Sequence, residues 1–257
     1  MQSELAHAAE LLGRARRVVV FTGAGVSAES GVPTFRDDLT GLWARFDAQQ
    51  LATPEAFEAD PDLVWGWYEW RRARVRQARP NPGHHAIADL ERLVDETVVV
   101  TQNVDDLHER AGSAAPIHLH GSLFAPRCSA DASHALPESG SETEPDLGDG
   151  SRIPPPRCLD CGAPGRPGVV WFGEALPEAG LADAIEAAFG CDVLLTVGTS
   201  GVVYPAADIP RVTERAGGAV IQVNPQPTPL DGICTVNLRG TAAAILPALV
   251  AAARARP

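Results

Sequence analysis

A glycine-rich turn near the amino terminus has a spacing that suits phosphate binding. Residues 18–21 form an apolar run that predicts a short buried strand, and Gly23 and Gly25 follow it before a predicted helix start. Glycines at such a turn let the backbone approach a pyrophosphate at the amino end of the helix. The spacing falls short of a full G-x-G-x-x-G, so the turn alone also fits an ordinary connection between a strand and a helix.

Polar side chains follow a second apolar run, residues 97–101, which also predicts a strand. Gln102, Asn103 and Asp105 come directly after it. Ligands bind at the carboxyl ends of parallel strands, and short polar side chains there suit ribose hydroxyls. Asn and Asp also hydrogen-bond their own backbone in polar turns, so these residues alone leave both interpretations open.

His120, in the sequence His-Gly-Ser, is a candidate general base. A neutral imidazole near pH 7 can accept a proton from a hydroxyl group. A histidine that follows an apolar residue is more often structural, so the residue alone does not settle its role. We assign no chemistry to His84, His85, His108 or His118.

Tyr68 and Arg71 stand three residues apart in a helical pattern, so their side chains share one face. The planar guanidinium matches a carboxylate bidentately and the phenol adds one more donor, so the pair can grip a carboxylate. The alternative is an amphipathic helix in which Tyr68 packs beside Trp65. Arg71 would then be a solvated charge together with Arg72 and its other arginine neighbours.

The elements that must position these residues alternate between strands and helices. Further predicted strands are residues 193–197 and 219–223, and predicted helices are residues 82–93, 181–189, 209–215 and 242–253. This βαβ alternation predicts an α/β fold with a parallel sheet covered by helices on both faces. Residues 37–79, which are helical and rich in tryptophan, and residues 127–167, which carry three cysteines, interrupt the alternation. We expect these two segments to form a smaller lobe.

Several motifs occur in a fixed order along the chain. They are Pro33-Thr34-Phe35-Arg36, Gln102-Asn103-Val104-Asp105, His120-Gly121-Ser122, Val170-Trp171-Phe172-Gly173-Glu174, Gly198-Thr199-Ser200 and Val223-Asn224-Pro225. With these motifs the chain resembles a sirtuin from about residue 12 to residue 249. Residues 51–57 and the pair Tyr68 and Arg71 resemble the branch that includes the mitochondrial desuccinylase and its bacterial deacylase relatives.

The resemblance implies a Rossmann-like, NAD-binding domain that comprises residues 1–36, 80–126 and 168–257. The smaller lobe, with a helical part and a zinc-ribbon-like cysteine module, would comprise residues 37–79 and 127–167. The predicted fold class is therefore α/β, with a Rossmann-like parallel sheet, helices on both faces and a small second lobe.

The resemblance also implies an NAD-dependent protein-lysine deacylase that releases nicotinamide and O-acyl-ADP-ribose. His120 would be the catalytic base, with Asn103 beside it in the catalytic set. The alternatives are a mono-ADP-ribosyltransferase that uses the same NAD site and a noncatalytic NAD-binding protein. The residues implied to contact NAD are Gly23, Ala24, Gly25, Ser27, Phe35, Arg36, Gln102, Asn103, Asp105, Gly198, Thr199, Ser200, Asn224 and Ala242.

The substrates implied by the resemblance are acylated lysine side chains of proteins. Tyr68 and Arg71 would select succinyl, malonyl or glutaryl groups, and we expect activity on acetyl groups as well. Ala52 would leave room for a longer acyl chain, and carbonyl groups near Val170 would align the lysine.

The cysteine module departs from the sirtuin pattern. Cys158 and Cys161 form a C-x-x-C half-site and Cys128 stands at an expected ligand position, but Asp131 occupies the expected second cysteine position. Three thiolates and a carboxylate can still bind zinc in tetrahedral geometry, and His134 is a rival donor. Loss of the metal, or a redox-active or structural C-x-x-C pair, is the alternative.

Composition supplies the remaining expectations. The 257 residues carry a net charge of −12, so we expect no binding to nucleic acid, which requires a basic face. All 21 basic residues are arginine, so the chain has no lysine that could be acylated. No apolar run approaches the ~20 residues of a membrane span, and Glu4 and Glu10 argue against an organelle-targeting helix. We therefore expect a cytoplasmic monomer that does not contact membranes.

Overall fold

The computed structural model of the protein describes residues 2–32, 47–137 and 152–255. The chain divides into two compact units. The first comprises Met1–Val32, Arg79–Leu119 and Leu176–Pro257, and the second comprises Pro33–Ala78 and His120–Ala175. None of the described helices is long and apolar enough to cross a membrane. The domain boundaries expected from the sequence stay a prediction.

The described elements follow one another along the chain as helices and strands. The helices are α1 Gln2–Arg14, α2 Ala48–Leu51, α3 Pro54–Ala59, α4 Pro61–Gln77, α5 Pro82–Leu90, α6 Leu107–Ala111, α7 Glu178–Gly190, α8 Ile209–Arg215 and α9 Ala242–Arg254. The strands are β1 Arg17–Thr22, β2 Glu96–Thr101, β3 Ile117–His118, β4 Arg127–Cys128, β5 Gly165–Arg166, β6 Val193–Val197, β7 Ala219–Val223 and β8 Val236–Leu238.

The first unit contains a six-stranded sheet in the order β3-β2-β1-β6-β7-β8. All neighbouring strands pair in parallel, with Val20 of β1 opposite Val99 of β2 and Leu195 of β6. The four predicted strands lie in this sheet, so the predicted parallel sheet is confirmed. The edge strands β3 and β8 were not predicted, because two and three residues are too few to show a periodicity.

Helices cover both faces of this sheet, as predicted. Alternate residues of a strand point to opposite faces. Val18 and Val20 of β1 pack with α1, α5 and α9, whereas Val19 and Phe21 pack with α7 and α8. Because both faces are buried, β1 reads as a continuous apolar run instead of an alternating one.

Helix α5 begins with a capping box. The side chain of Asn81 accepts the N–H of Gly83 at 2.9 Å, and the N–H of Asn81 donates to Nδ1 of His84 at 3.3 Å. A Cβ on Gly83 would lie 3.0 Å from the carbonyl carbon of Ala242, so glycine lets α5 approach the start of α9 closely. The helix ends at Leu90, three residues earlier than predicted, and continues as a turn.

The second unit combines described helices with a short antiparallel strand pair, β4 and β5. Thr53 and Asp60 each accept a backbone N–H at 3.1 Å at the starts of α3 and α4, and a proline follows each cap. Helix α4 buries Trp67 and Tyr68, and β4 carries the buried Cys128. The helical and cysteine-bearing parts of the smaller lobe are therefore present.

Candidate functional site

The carboxyl ends of β1 and β6 lie side by side in the middle of the sheet. Strands β2 and β3 extend the sheet on the β1 side, and β7 and β8 extend it on the β6 side. Ligands of parallel α/β sheets bind at such a switch point, outside the carboxyl ends of the strands. The glycine-rich turn follows β1 here, and Gly198 and Thr199 follow β6.

The glycine-rich turn packs backbone against backbone on the loop after β6. The N–H of Gly23 donates to the carbonyl of Val197 at 3.0 Å, and the N–H of Gly25 donates to a neighbouring carbonyl at 2.8 Å. A Cβ on Gly25 would lie 2.7 Å from that oxygen, which belongs to Gly198. The helix predicted after the turn is instead two single 3₁₀ turns. Packing within the protein thus explains these glycines, and their contact with pyrophosphate stays a prediction.

Ser27, Asn103 and Asp105 form a buried hydrogen-bonded cluster at the switch point. The Asn103 side-chain amide donates to Oγ of Ser27 at 3.0 Å, and that hydroxyl donates to the Asp105 carboxylate at 3.0 Å. Burial raises the pKa of Asp105, although hydrogen bonds from the Leu107 amide and Ser27 counteract the shift. The Asp105 carboxylate also accepts the Leu107 N–H, which is the local hydrogen bond of a polar turn that the sequence allowed. The cluster shows in addition that this turn is hydrogen-bonded to the loop that carries Ser27.

Polar contacts connect the ends of β2, β6 and β7. The side chain of Gln102 donates to the Thr199 hydroxyl at 2.9 Å, and the side chain of Asn224 donates to the Thr199 carbonyl at 2.7 Å. The structure therefore brings most of the predicted NAD contacts of this unit to one edge of the sheet. Ser200 directly follows Thr199, whereas Ala242 begins α9. Phe35 and Arg36 lie outside the described residues.

Two histidines without assigned chemistry are buried beneath this edge. Nε2 of His84 lies 3.4 Å from Oγ of Ser27, and Nε2 of His108 lies 2.9 Å from the Thr22 hydroxyl. Burial lowers the pKa of His84 to about 3 and that of His108 to about 4, so both are neutral at pH 7. They act as neutral hydrogen-bonding groups that support the loop carrying Ser27 and the end of β1.

His118, to which no chemistry was assigned, contacts the backbone of Asn103. Its Nδ1 lies 3.0 Å from the Asn103 carbonyl oxygen, and its Nε2 lies 2.7 Å from the Glu109 carboxylate. Burial lowers the pKa of His118, but the hydrogen bonds to Glu109 and Asn103 and the nearby charges of Glu109 and Asp105 raise it more, so the net shift is upward. A cationic imidazole donates to both acceptors, which ties β3 to the loop after β2.

In the second unit, His120 lies next to Val170. The carbonyl of His120 accepts the N–H of Val170 at 2.9 Å, and Gly121 pairs with Val169 in an isolated antiparallel bridge. Gly121 has a φ of +74°, and a Cβ there would lie 2.1 Å from the carbonyl oxygen of Gly168. Glycine is therefore required directly after the histidine, because only it permits this backbone conformation and approach. The structure thus places the backbone of the predicted base beside Val170, near which the carbonyls predicted to align the lysine lie.

Tyr68 and Arg71 lie together on α4. The guanidinium carbon of Arg71 is 5.8 Å from the centre of the Tyr68 ring and 5.1 Å from that of Trp67. Tyr68 is fully buried, and burial raises the pKa of its phenol to about 12. Arg71 is half-buried, and Arg72 is buried with its Nε donating to the Leu123 carbonyl at 2.7 Å. The solvated alternative therefore describes Arg74 and Arg76, which are exposed, but not Arg72.

Trp171 connects this face to a buried ion pair that the sequence did not indicate. Its indole N–H donates to the Tyr68 oxygen at 3.1 Å. Arg166 lies over its ring, with the guanidinium carbon 3.5 Å from the centroid, and binds Glu174 through two hydrogen bonds of 2.7 and 2.8 Å. Phe172, which follows Trp171, donates its backbone N–H to the carbonyl of Ala52 at 3.0 Å. The contacts with Tyr68 and Ala52 span more than a hundred residues of sequence, so no local motif reveals them.

Four potential zinc ligands converge in the second unit. In the described part of the chain, ligand atoms of Cys128, His134, Cys158 and Cys161 all lie within 4.8 Å of one another. The Sγ atoms of Cys128 and Cys161 are 3.5 Å apart. Hydrogen bonds from the backbone amides of Asp131 and Ala130 lower the pKa of Cys128, which favours the thiolate that binds metals. Three sulfur ligands and one imidazole are a common donor set of structural zinc sites, so these residues fit zinc.

Asp131 is not a member of this group. Its carboxylate accepts the backbone N–H of Ser133 at 2.9 Å and the Ser133 hydroxyl at 2.7 Å. Its other oxygen lies 3.7 Å from Nε2 of His134. The geometry therefore favours the rival donor His134 over Asp131, because the aspartate is engaged in the turn that carries the histidine.

The family profile that matches the chain is that of the Sir2 family, over residues 23–205. Among curated proteins, an NAD-dependent protein deacylase of Methylococcus capsulatus is 58% identical over 241 residues, which is 93% of each chain. NAD-dependent protein deacylase 1 of Pseudomonas aeruginosa is 59% identical over 244 residues, 94% of this chain and 96% of the relative.

Solved structures agree with this match. A Sir2 homologue in complex with NAD aligns with a TM-score of 0.87 and 46% identity, covering 96% of this chain and 93% of the homologue. Sir2Af2 bound to a myristoylated histone peptide aligns with a TM-score of 0.77 and 36% identity, covering 99% and 98% of the two chains.

Proposed function

Since this chain belongs to the Sir2 family and is an NAD-dependent protein deacylase, we propose that it removes carboxylate-bearing acyl groups, above all succinyl and malonyl, as well as acetyl. The observation that carries this proposal is the pairing of the buried Tyr68 with the half-buried Arg71 on one face of α4. The guanidinium supplies the charge, and the phenol supplies one oriented donor to the acyl carboxylate.

The residues present fit NAD at the switch point of the sheet. Ser27, Gln102, Asn103, Asp105 and Thr199 supply hydroxyl, amide and carboxylate groups at the carboxyl ends of the strands, where ligands of this fold bind. When bound, NAD would supply the ribose carbon that the amide oxygen of the acylated lysine attacks as nicotinamide leaves. The buried cluster holds Asn103 and Asp105 in fixed positions, from which they would bind the ribose.

His120 acts as the base. Its imidazole accepts a proton from a ribose hydroxyl, which is the role of a general base. The hydrogen bond between the backbones of His120 and Val170 fixes the backbone that carries the imidazole next to the segment that would align the substrate lysine. The curated names of the relatives support deacylation over ADP-ribosyl transfer for this chemistry.

The acyl carboxylate binds in a desolvated environment. Tyr68 is fully buried, so a carboxylate that reaches it has lost its water, and both donors must replace that water. Charge-assisted hydrogen bonds are strong in such surroundings. An acetyl group has no carboxylate, so it gains nothing from this pair.

For the metal we propose zinc held by Cys128, Cys158, Cys161 and His134. A closed set of four protein ligands is typical of a structural zinc ion. Such a zinc ion would hold the loop after β4 against the C-x-x-C turn before β5.

The partners follow from the activity. Sir2 structures solved with a myristoylated histone peptide and with a p53 peptide support acylated lysines of proteins as substrates. The net charge of −12 favours basic protein substrates and opposes nucleic acid. We further propose that the protein acts as a monomer in the cytoplasm.

Nicotinamide release tests the proposal directly. Purified protein is given NAD and matched acetyl-, succinyl- and malonyl-lysine peptides, in the wild type and in Arg71→Met. The control is Arg74→Met, an exposed arginine of the same helix. We expect kcat/KM for the acidic acyl peptides to fall at least about 30-fold in Arg71→Met alone, because a buried carboxylate loses its charged partner. Turnover of acetyl peptide alone by the wild type would contradict the proposed selectivity.

A further inference from the structure

The phenol of Tyr68 receives a hydrogen bond from the indole of Trp171. Nε1 of Trp171 lies 3.1 Å from the phenol oxygen, and both side chains are almost completely buried, at 3% and 0% exposure. An indole N–H can only donate, so the phenol oxygen must be the acceptor. The direction of this hydrogen bond is therefore fixed by chemistry.

That direction leaves the phenol O–H available to a ligand. In the described part of the chain, no carbonyl or carboxylate accepts a hydrogen bond from Tyr68. The phenol stays protonated at neutral pH, since burial raises its pKa to about 12. An ionised carboxylate accepts hydrogen bonds and cannot donate them, so it is the natural partner of this O–H.

Charged groups hold the Trp171 indole in place. Arg166 stacks on the Trp171 ring, and the two carboxylate oxygens of Glu174 bind this arginine. The same carboxylate accepts the backbone N–H of Trp171 at 2.8 Å. Phe57 packs against the indole, with ring centroids 5.3 Å apart. Ring, backbone and neighbours thus fix one orientation of the indole N–H.

We propose that Trp171 is a positioning residue for acyl selectivity, because its N–H orients the Tyr68 hydroxyl to donate to the carboxylate of an acidic acyl chain. This inference rests on the proposed function, in which Tyr68 and Arg71 bind that carboxylate. Trp171 does not touch the carboxylate in this arrangement. It acts on selectivity through the phenol, and Arg166 and Glu174 act through Trp171.

The test compares succinyl- and acetyl-lysine peptides on Trp171→Phe, which keeps an aromatic ring but cannot donate. We expect the ratio of kcat/KM for succinyl to that for acetyl to fall roughly 5-fold, mainly through KM for the succinyl peptide. In a Tyr68→Phe background, the same substitution should change the ratio no further, because the group it orients is gone. Trp65→Phe, a buried tryptophan of α4 that contacts Arg72, is the control and should keep the wild-type ratio.

A second variant distinguishes loss of the N–H from a folding defect in Trp171→Phe. Replacement of Trp171 by β-(3-benzothienyl)alanine preserves the shape of the indole and removes only the N–H, so it should lower the ratio equally. An unchanged ratio in this isostere, or an equal loss for both peptides, would overturn the inference while Tyr68→Phe and Arg71→Met still reveal the carboxylate pair. If those two variants also keep the ratio, the proposed selectivity and the inference fail together.

Discussion

His120 is the single residue on which the proposed chemistry depends most. Its replacement by alanine should lower deacylation at least about 100-fold, because a positioned general base contributes roughly that much. NAD binding, measured by calorimetry without peptide, should persist. His7→Ala, an exposed histidine of α1, is the matched control. Full turnover by His120→Ala would remove this histidine from the catalytic role.

Gly25 shows how a residue without a side chain can be essential for structure. A Cβ there would meet the carbonyl oxygen of Gly198 at 2.7 Å, which is backbone and cannot rotate away. Gly25→Ala should therefore destabilise the protein by about 2 kcal/mol in urea unfolding. In Gly180→Ala, within α7, the added Cβ would lie 3.7 Å from the Ile117 side chain, so the substitution should be neutral or stabilise by up to about 1 kcal/mol. Equal effects of the two substitutions would contradict this steric explanation.

At the scale of elements, the pair of His118 and Glu109 joins β3 to α6. The folded pKa of His118 is raised, so its contribution is present at low pH and is lost as pH rises through that pKa. Burial raises the pKa of Glu109, but its hydrogen bond to His118 and nearby positive charge lower it overall, so its contribution is lost as pH falls through its folded pKa. The pair therefore stabilises most in the window between these two titrations.

Glu109→Gln and His118→Gln test this window. Each should cost less than about 1 kcal/mol near pH 5.5, since solvent screens the half-exposed carboxylate, and still less at pH 8.5. Urea unfolding at both pH values measures the difference. The buried neighbour His108 stays neutral throughout, and Asp105 adds negative charge near His118. A loss that grows toward high pH would reverse the predicted sign.

The metal-binding loop is a second element with a testable ligand set. His134→Ala should weaken zinc binding about 100-fold or more, whereas Asp131→Ala should change it little, because only the histidine joins the three thiols. Metal content and the cobalt(II)-substituted absorption spectrum report this without any activity measurement. His134→Cys should restore binding with a stronger sulfur-to-cobalt band. Loss of metal in Asp131→Ala with retention in His134→Ala would reverse the assignment.

On the scale of the whole molecule, the sequence predicts elements that have a regular apolar pattern, and it does not predict contacts between residues that are far apart in the chain. Strands β1 and β6 are mostly apolar because both of their faces are buried, and this pattern is visible without a structure. Helix α7 starts three residues before its predicted start, since the first three residues add no large apolar side chain to the pattern. The edge strands β3 and β8 are too short to show an apolar pattern.

The candidate site also has a part that the sequence predicts and a part that only the fold reveals. Gln102, Asn103 and Asp105 could be placed at one edge because parallel strands align their carboxyl ends. Trp171 could not be connected to Tyr68, because 103 residues separate them and only the fold brings the indole to the phenol. The choice between Asp131 and His134 likewise depends on the turn formed with Ser133, which spacing alone does not specify.

The net charge of −12 acts on every substrate before any local contact forms. Its field attracts basic peptides and repels acidic ones, and salt screens it beyond a Debye length of roughly 10 Å at 0.1 M. KM for a succinyl-lysine peptide flanked by arginines should therefore rise about threefold between 50 and 500 mM salt. KM for the same peptide flanked by glutamates should fall, and a peptide with neutral flanks is the control. All three peptides carry the same succinyl group for the half-buried Arg71. An equal response of all three would therefore mean that the acyl site, and not the surface, senses the salt.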